Sequence, residues 1–381
     1  MGTVSGIAVD RKFFVIMVLV CLAIGASFAF VYLDLKDTIN ALRADYATVS
    51  SRMQQLQNLI ESLHQNQVTN LTAVKIYNET KDSVVLISCR LSDGSRVEGS
   101  GFVYQYSNPG GYIVTNNHVV EAAATERATI SVSFSNGSTF QANLVGRDIY
   151  SDLAVIKVDS LPAQSQPLII GNSTQLMVGE SVYAIGNPFG LSGSMTAGIV
   201  SQTGRVLRLG DLRVPEPYGN YAIVDLIQFD AAVNPGNSGG PLLNGLGFVV
   251  GVTFAIETAG NVTGFIGIGY AIPSIIINRV VKSLINTGEY HHPWMGITYD
   301  PNYVGGLLIR SINDTGPAKD AGLLPEDIII KVDEVSVIRP EDLLIYLERY
   351  KSPGETIQLS VVRNNDFSHQ INIALKLGVR P

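Results

Sequence analysis

The sequence predicts a mainly β chain in two folded parts behind an N-terminal helical region. Three observations carry this. Between 72 and 272, short β-rich runs are broken by Gly, Asn, Pro and Ser with no helical pattern between them, which points to an all-β barrel or sandwich. From 294 to 376 the order reads strand, strand, short helix, strand, helix, strand, strand, an α+β unit. Before residue 69 lie an uncharged run and a heptad repeat that belong to neither part. A chain of 381 residues has room for two or three domains, and its 46% hydrophobic content excludes a mostly disordered polymer.

Phe13 to Leu33 carries no charge over 21 residues. At ~1.5 Å per residue a helix there spans about 31 Å, the thickness of a bilayer core. Asp10, Arg11 and Lys12 bound it on one side and Asp34, Lys36 and Asp37 on the other. The run is expected to be a transmembrane helix (13–33) after a cytoplasmic N-terminus (1–12). The alternative is a signal peptide cleaved near Ser27-Phe28-Ala29. The run is long and continues into a helical pattern, which favours the anchor. Arg11 and Lys12 before it are matched by Lys36 and Arg43 after it, so flanking charge sets no orientation. Six Asn-x-Ser/Thr sequons follow the run (Asn70, Asn78, Asn136, Asn172, Asn261, Asn313) and none precedes it, which favours an extracytoplasmic placement of the rest.

Positions 35, 39, 42, 46, 49, 53, 56, 60, 63 and 67 alternate spacings of four and three, and nine of the ten are apolar or aromatic. That is the seam of a coiled coil, expected over 34–68, and it implies a homo-oligomer. A single amphipathic helix packed on a globular domain is the alternative, but no such domain is close in sequence. The net charge of −7 argues against nucleic acid as a partner. Two cysteines, Cys21 and Cys89, make neither a disulfide framework nor a zinc site. With no Gly-x4-Gly-Lys-Ser/Thr and no His-Glu-x-x-His, neither ATP nor a catalytic metal is supported, and no cofactor is expected.

Three segments of the β-rich part carry chemistry: Gly111–Val120, Arg147–Val155 and Asn234–Pro241. In the third, Ser238 lies among glycines on a tight turn, which exposes its hydroxyl and can aim nearby amides at one point. Gly236, Asn237 and Ser238 are thus the candidate oxyanion hole, with the amides of Gly236 and Ser238 as its donors. A serine hydroxyl is a poor nucleophile until an imidazole takes its proton and a carboxylate fixes the imidazole's tautomer. Of five histidines, His64 falls beside the heptad seam, His291 and His292 sit in a linker before Pro293, and His369 lies in the last unit. His118, in a strand-then-turn setting, remains as the base. Asp152 opens an apolar strand and is the candidate orienting carboxylate. The order His, Asp, Ser is one of the known orders of such triads.

These residues carry a family resemblance. Thr115–Val120, Ser151–Val155 and Gly236–Pro241 are similar almost letter for letter to the motifs of the HtrA/Deg family of trypsin-like serine proteases. So are Gly99–Phe102, Ile185–Pro188, Gln228–Asn234 and Ile268–Pro273. The likeness covers roughly 75 to 376. It implies a trypsin-like double β-barrel protease domain (72–272) with the site between the barrels, and ATP-independent cleavage of unfolded, misfolded or signalling proteins. It also implies homo-oligomers, trimers or multiples of them. One membrane helix, one protease domain and one PDZ domain resemble the DegS arrangement, from which the coiled coil departs. The expected localisation is a single-pass membrane protein with both domains on the extracytoplasmic side.

The resemblance also places the substrate pocket. Its base is Ala232, six residues before the nucleophile, and one wall is Thr253-Phe254-Ala255. No charge there would pair a basic P1 side chain, so small or medium aliphatic P1 residues are expected. Apolar contacts discriminate by only ~1–3 kcal/mol per methylene, which makes the preference loose. Asp230 is expected to be structural. Thr203–Tyr221, Phe254–Phe265 and Ser192–Ala197 read as mobile loops.

Pro273–Thr287 reads as a helix stopped at Gly288, and 273–293 as helix and linker. Gly316–Leu323 followed by Asp327–Val332 resembles the PDZ pattern of HtrA proteins, giving a PDZ domain over 294–376 with Pro340–Tyr350 as groove helix. Such domains bind a peptide C-terminus as an added strand. Met295, Gly296 and Ile297 are the candidate peptide-binding residues. Two other readings share these domains: a proteolytically weak chaperone or PDZ scaffold, and a signalling protease with one substrate.

Overall fold

The computed structural model describes residues 73–125, 128–187, 193–208, 222–254 and 267–381, together with Leu19, Leu33 and scattered positions from 35 to 53. Six strands, Val84–Arg90 (β1), Arg96–Tyr106 (β2), Gly111–Asn116 (β3), Thr129–Ser133 (β4), Thr139–Asp148 (β5) and Leu153–Val158 (β6), close a barrel in the order β1-β2-β3-β6-β5-β4. Six more close a second: Ser181–Gly186 (β7), Ser194–Arg208 (β8), Ala222–Phe229 (β9), Pro241–Asn244 (β10), Val249–Phe254 (β11) and Gly269–Pro273 (β12), in the order β10-β11-β12-β9-β8-β7. The fold is mainly β and trypsin-like in architecture.

The alternation of side chains across a strand explains why β3 and β6 read as unbroken apolar runs. Ile113 and Ile156 point into the first barrel beside Val85, Ile87 and Val132. Their neighbours Val114 and Val155 point the other way, into a core shared with Ile185, Leu226, Val252 and Ile272 of the second barrel. That shared core clamps the two barrels together, and the chemistry-bearing turns sit at its rim. The helix Ser274–Thr287 adds Ile276, Ile277, Val280 and Leu284 to it and ends at Gly288, whose φ of +84° suits a left-handed cap.

Two expectations are corrected here. Residues 194–197 and 203–208, read as loop, belong to the 15-residue strand β8, which pairs with both β7 and β9. Its burial is mostly intermediate, so its polar composition hid a paired strand. His118 does not follow a turn but lies in the first turn of a helix, Asn117–Thr125.

After the linker come Pro293–Trp294 (β13), Ile297–Tyr299 (β14), Leu307–Ile312 (β15), Ile328–Val332 (β16), Val335–Ser336 (β17), Thr356–Val362 (β18), Gln370–Lys376 (β19) and Gly378–Val379 (β20). The main sheet runs β14-β15-β16-β18-β19, with β17 paired to β16 and β13 to β20. β14 is an edge strand. The helix Pro340–Tyr350 packs Leu343 and Leu347 onto the core of this unit with Ile309, Ile329, Ile357 and Leu359. The same helix faces the second barrel. Arg349 makes a two-pronged contact with the buried Asp225 of β9, Nε to Oδ2 at 2.6 Å. Arg279 of the helix Ser274–Thr287 donates to the Lys351 carbonyl at 2.5 Å.

The predicted membrane span 13–33 lies outside the described residues except for Leu19 and Leu33, both helical. Among the described residues no helix is long and apolar enough to cross a membrane. In the N-terminal unit the described seam positions Leu35, Ile39, Leu42, Tyr46, Val49 and Met53 are all helical and all exposed, by 42–76%. The remaining seam positions, 56 to 67, lie outside the described residues.

Candidate active site

β3 delivers Thr115 and Asn116 to the rim between the barrels, and the next residues open the helix that carries His118. Asp152 stands just before β6, the neighbour of β3. Its φ is +54°, a left-handed conformation that Asp tolerates better than most residues. Both its carboxylate oxygens go to His118: Oδ1 accepts from the His118 backbone amide at 2.9 Å and Oδ2 lies 2.7 Å from Nδ1. An ionised carboxylate only accepts, so Nδ1 carries a proton and Nε2 of the neutral ring is the basic nitrogen. The Asp152 carbonyl is held in turn by the Asn117 amide at 3.0 Å and by Asn116 Nδ2 at 2.9 Å. The Phe254 ring meets the imidazole edge to face, centroids 5.8 Å apart. The imidazole side chain keeps 40% exposure and the Asp152 side chain 8%.

The loop with Ser238 comes from the second barrel, between β9 and β10. Asn237 donates its amide to the Asn234 carbonyl at 2.9 Å, closing a turn with Pro235 and Gly236 at its corners. Gly236 has φ +101°, as the third position of a type II turn requires. A type I turn would rotate the Pro235–Gly236 peptide by roughly 180° and redirect the Gly236 amide. Ser100 fastens this loop to the first barrel. Its amide donates to the Ser238 carbonyl at 2.7 Å, its hydroxyl donates to the Gly236 carbonyl at 2.6 Å, and its own carbonyl accepts from Thr115 Oγ1 at 2.7 Å. Gly239, at φ +86°, packs so closely that a Cβ there would fall 2.2 Å from the Ser100 carbonyl oxygen and 3.0 Å from the Asn116 amide nitrogen. The candidate nucleophile and the candidate base are thus carried on adjoining backbone of the two barrels.

The other predicted residues divide. Thr253 is fully buried, and its hydroxyl donates to the carbonyls of Asn237 (2.5 Å) and Gly240 (3.0 Å). Thr253 therefore braces the Ser238 loop. Ala232 is half-buried, with its carbonyl held by Thr196 Oγ1 at 2.8 Å. Ala255 lies outside the described residues. Asp230 is exposed and accepts the Ile199 amide at 2.6 Å, tying β9 to β8. Asn237 is buried against Gly186.

In the C-terminal unit Met295 is buried in the core, with its carbonyl accepting from Ala318. Gly296, at φ +79°, bends the chain into β14, and Ile297 opens that edge strand half-buried. Sequence reasoning missed Ser100 as the clamp, since it entered only as part of a Gly-Ser-Gly motif. It also set aside His292, which the structure buries between Asp148 and Glu348.

Comparisons with known proteins agree with the two-barrel fold and the unit that follows it. The family described as the trypsin-like peptidase domain matches residues 99–252, and the PDZ domain family matches 293–375. A protein of Chlamydia pneumoniae named "Probable periplasmic serine endoprotease DegP-like" is 41% identical over 285 residues, 70% of this chain and 52% of its own length. The chain thus spans about half the length of the DegP-like relatives it matches. "Protease Do-like 1, chloroplastic" of Arabidopsis thaliana is 32% identical over 345 residues, 83% of this chain and 73% of its own. Among solved structures, the HtrA-type protease AlgW with a decapeptide superposes with a TM-score of 0.63 at 30% identity, covering 82% of this chain and 99% of that one. A serine endoprotease from Yersinia pestis superposes at 0.57 and 31% identity, covering 80% and 98%. Likeness at this level, running through both the barrels and the unit behind them, shows that the chain belongs to the HtrA/Deg family of serine proteases.

Proposed function

We propose that the chain is an ATP-independent serine endoprotease of unfolded or damaged proteins, working through Ser238, His118 and Asp152. The observation that carries this is the double grip of Asp152 on His118, which fixes the tautomer a general base needs, beside a glycine turn bearing a serine. Ser238 Oγ attacks the scissile carbonyl while His118 Nε2 takes its proton. Asp152 stabilises the imidazolium that results, and the amides of Gly236 and Ser238 receive the oxyanion. His118 then protonates the leaving amine, and water repeats the sequence on the acyl-enzyme. Ala232 and Phe254 give the substrate pocket an uncharged lining, in keeping with small to medium aliphatic P1 residues.

The C-terminal unit binds peptide C-termini by strand addition at β14, with Gly296 and Ile297 at the carboxylate end and regulation of the protease as its role. Residues 13–33 anchor the chain with both domains outside the cytoplasm, a placement that the word periplasmic in the relatives' name supports. The exposed apolar seam from Leu35 to Met53 has the composition of an oligomer contact, and we assign it to a homo-oligomeric coiled coil. Sedimentation equilibrium of the full chain in detergent should give a multiple of the protomer mass; a monomer would contradict the coiled coil.

The functional reading is tested by incubating the full chain with unfolded casein without ATP and sequencing the products. Cuts after Val, Ala or Leu are expected. Cuts after Lys or Arg would overturn the pocket, and no cutting with or without a peptide ending in a hydrophobic residue would favour a PDZ scaffold.

A further inference from the structure

His292 sits in the linker between the two folded parts, yet its side chain is only 3% exposed. Nε2 lies 2.9 Å from Asp148 Oδ2, at the end of β5, and Nδ1 lies 2.8 Å from Glu348 Oε2, on the helix Pro340–Tyr350. Ionised carboxylates only accept, and a neutral imidazole donates once, so two such bonds need a ring with both protons. The same Asp148 oxygen also accepts the Ser151 amide at 3.1 Å and the Ser151 hydroxyl, while Oδ1 takes the Tyr150 amide at 3.3 Å. Asp148 thus folds the turn 148–151, and that turn hands the chain directly to Asp152 in its left-handed conformation.

We infer that His292 is a positioning residue for Asp152: as an imidazolium clasped between the first barrel and the PDZ helix, it fixes the turn that presents the orienting carboxylate, and loss of its proton loosens that turn. This rests on the triad reading above for its effect on activity, but not for its claim about charge. Every element packed on the ring contributes. The Tyr150 ring meets it at 5.1 Å and the Tyr290 ring at 4.7 Å, both edge to face. Arg380 lies over Tyr150 at 4.2 Å and lines the small cavity beside His292, and Arg279 donates to the Tyr290 hydroxyl at 3.2 Å. Burial pushes the Tyr290 hydroxyl up, so it stays neutral where His292 titrates. Burial disfavours the charge on His292, but the hydrogen bonds to Asp148 and Glu348 outweigh it and hold the imidazole at about 9. Burial likewise opposes the charge on Asp148, and His292 and Ser151 overcome it to hold that carboxyl below its usual range.

The sign follows. A group whose folded value is raised from 6.5 to about 9 gives its full contribution below 6.5 and loses it as pH rises through about 9. Activity should therefore fall on the alkaline side, by up to tenfold per pH unit where the deprotonated form is inactive. His292→Arg keeps a permanently charged pair of donors and should remove that alkaline fall, with near-normal activity at pH 7. His292→Gln cannot supply the charge and should lower kcat at pH 7 more than it changes KM.

The experiment pairs pH profiles of casein cleavage for the full chain and these variants with 15N NMR of the imidazoles, His292 being assigned by its absence in the Arg variant. A doubly protonated ring at pH 7, titrating near 9, together with an alkaline fall that the Arg variant lacks, is the expected result. A singly protonated ring at pH 7 overturns the inference whatever the activity does. So do superimposable profiles of wild type and His292→Arg. If wild type cleaves at no pH, it is the proposed function that fails, and the ring signal still decides the charge.

Discussion

Replacing Ser238 by Ala should lower kcat for unfolded casein about 10⁶-fold, with KM changed little. The hydroxyl is the only part of the residue that the substitution removes. The backbone of Ser238 is held by the bond from the Ser100 amide to its carbonyl at 2.7 Å, and the loop around it by Gly239 against Thr115 and by Thr253 beneath. None of these involves the Ser238 Oγ, so the loop and its amides keep their places. A residual rate over water remains in such variants, about 10³–10⁴-fold, from oxyanion stabilisation and binding. Thermal unfolding within about 2 °C of wild type would show that chemistry alone was lost, and cleavage within tenfold of wild type would remove Ser238 as the nucleophile.

Asp152→Asn should cost about 10⁴-fold in kcat while the fold is kept. Asn tolerates the left-handed φ of +54° as well as Asp does. Its oxygen can still accept the His118 amide. Its amide group would then face Nδ1, where Oδ2 now sits at 2.7 Å. A donor there turns Nδ1 into an acceptor and puts the proton on Nε2, the nitrogen that must take the proton of Ser238. Steady-state kinetics near pH 7.5 with a thermal melt separates this from unfolding. An unchanged kcat would mean that the short contact between Asp152 and His118 does not set the tautomer.

The barrels were legible because their strands are short, β-branched and punctuated, and Leu153–Val158 agrees residue for residue with its expectation. β8 was not, because a half-exposed strand that pairs on both sides carries polar residues like a loop does. The helix at His118 was hidden for a different reason. The Asn116 side chain, of a type that often caps helices, bonds instead to the Asp152 carbonyl, and the first turn is capped by a carboxylate 34 residues away. Ser238, His118 and Asp152 could be named because each sits in a motif of unusual composition. Ser100, Thr253 and His292 act through contacts 87 to 144 residues distant or through the packing of a strand against a turn, and sequence spacing carries no trace of such contacts. His292 was also judged by its place in a linker, whereas burial between two carboxylates decides its chemistry.

The most direct test of the central claim is to expose the full chain to an organofluorophosphonate at pH 7.5 and to map the adduct by mass spectrometry. A single adduct on Ser238, formed far more slowly in Asp152→Asn, is the predicted result. No adduct, or an adduct elsewhere with Ser238 untouched, would contradict the account.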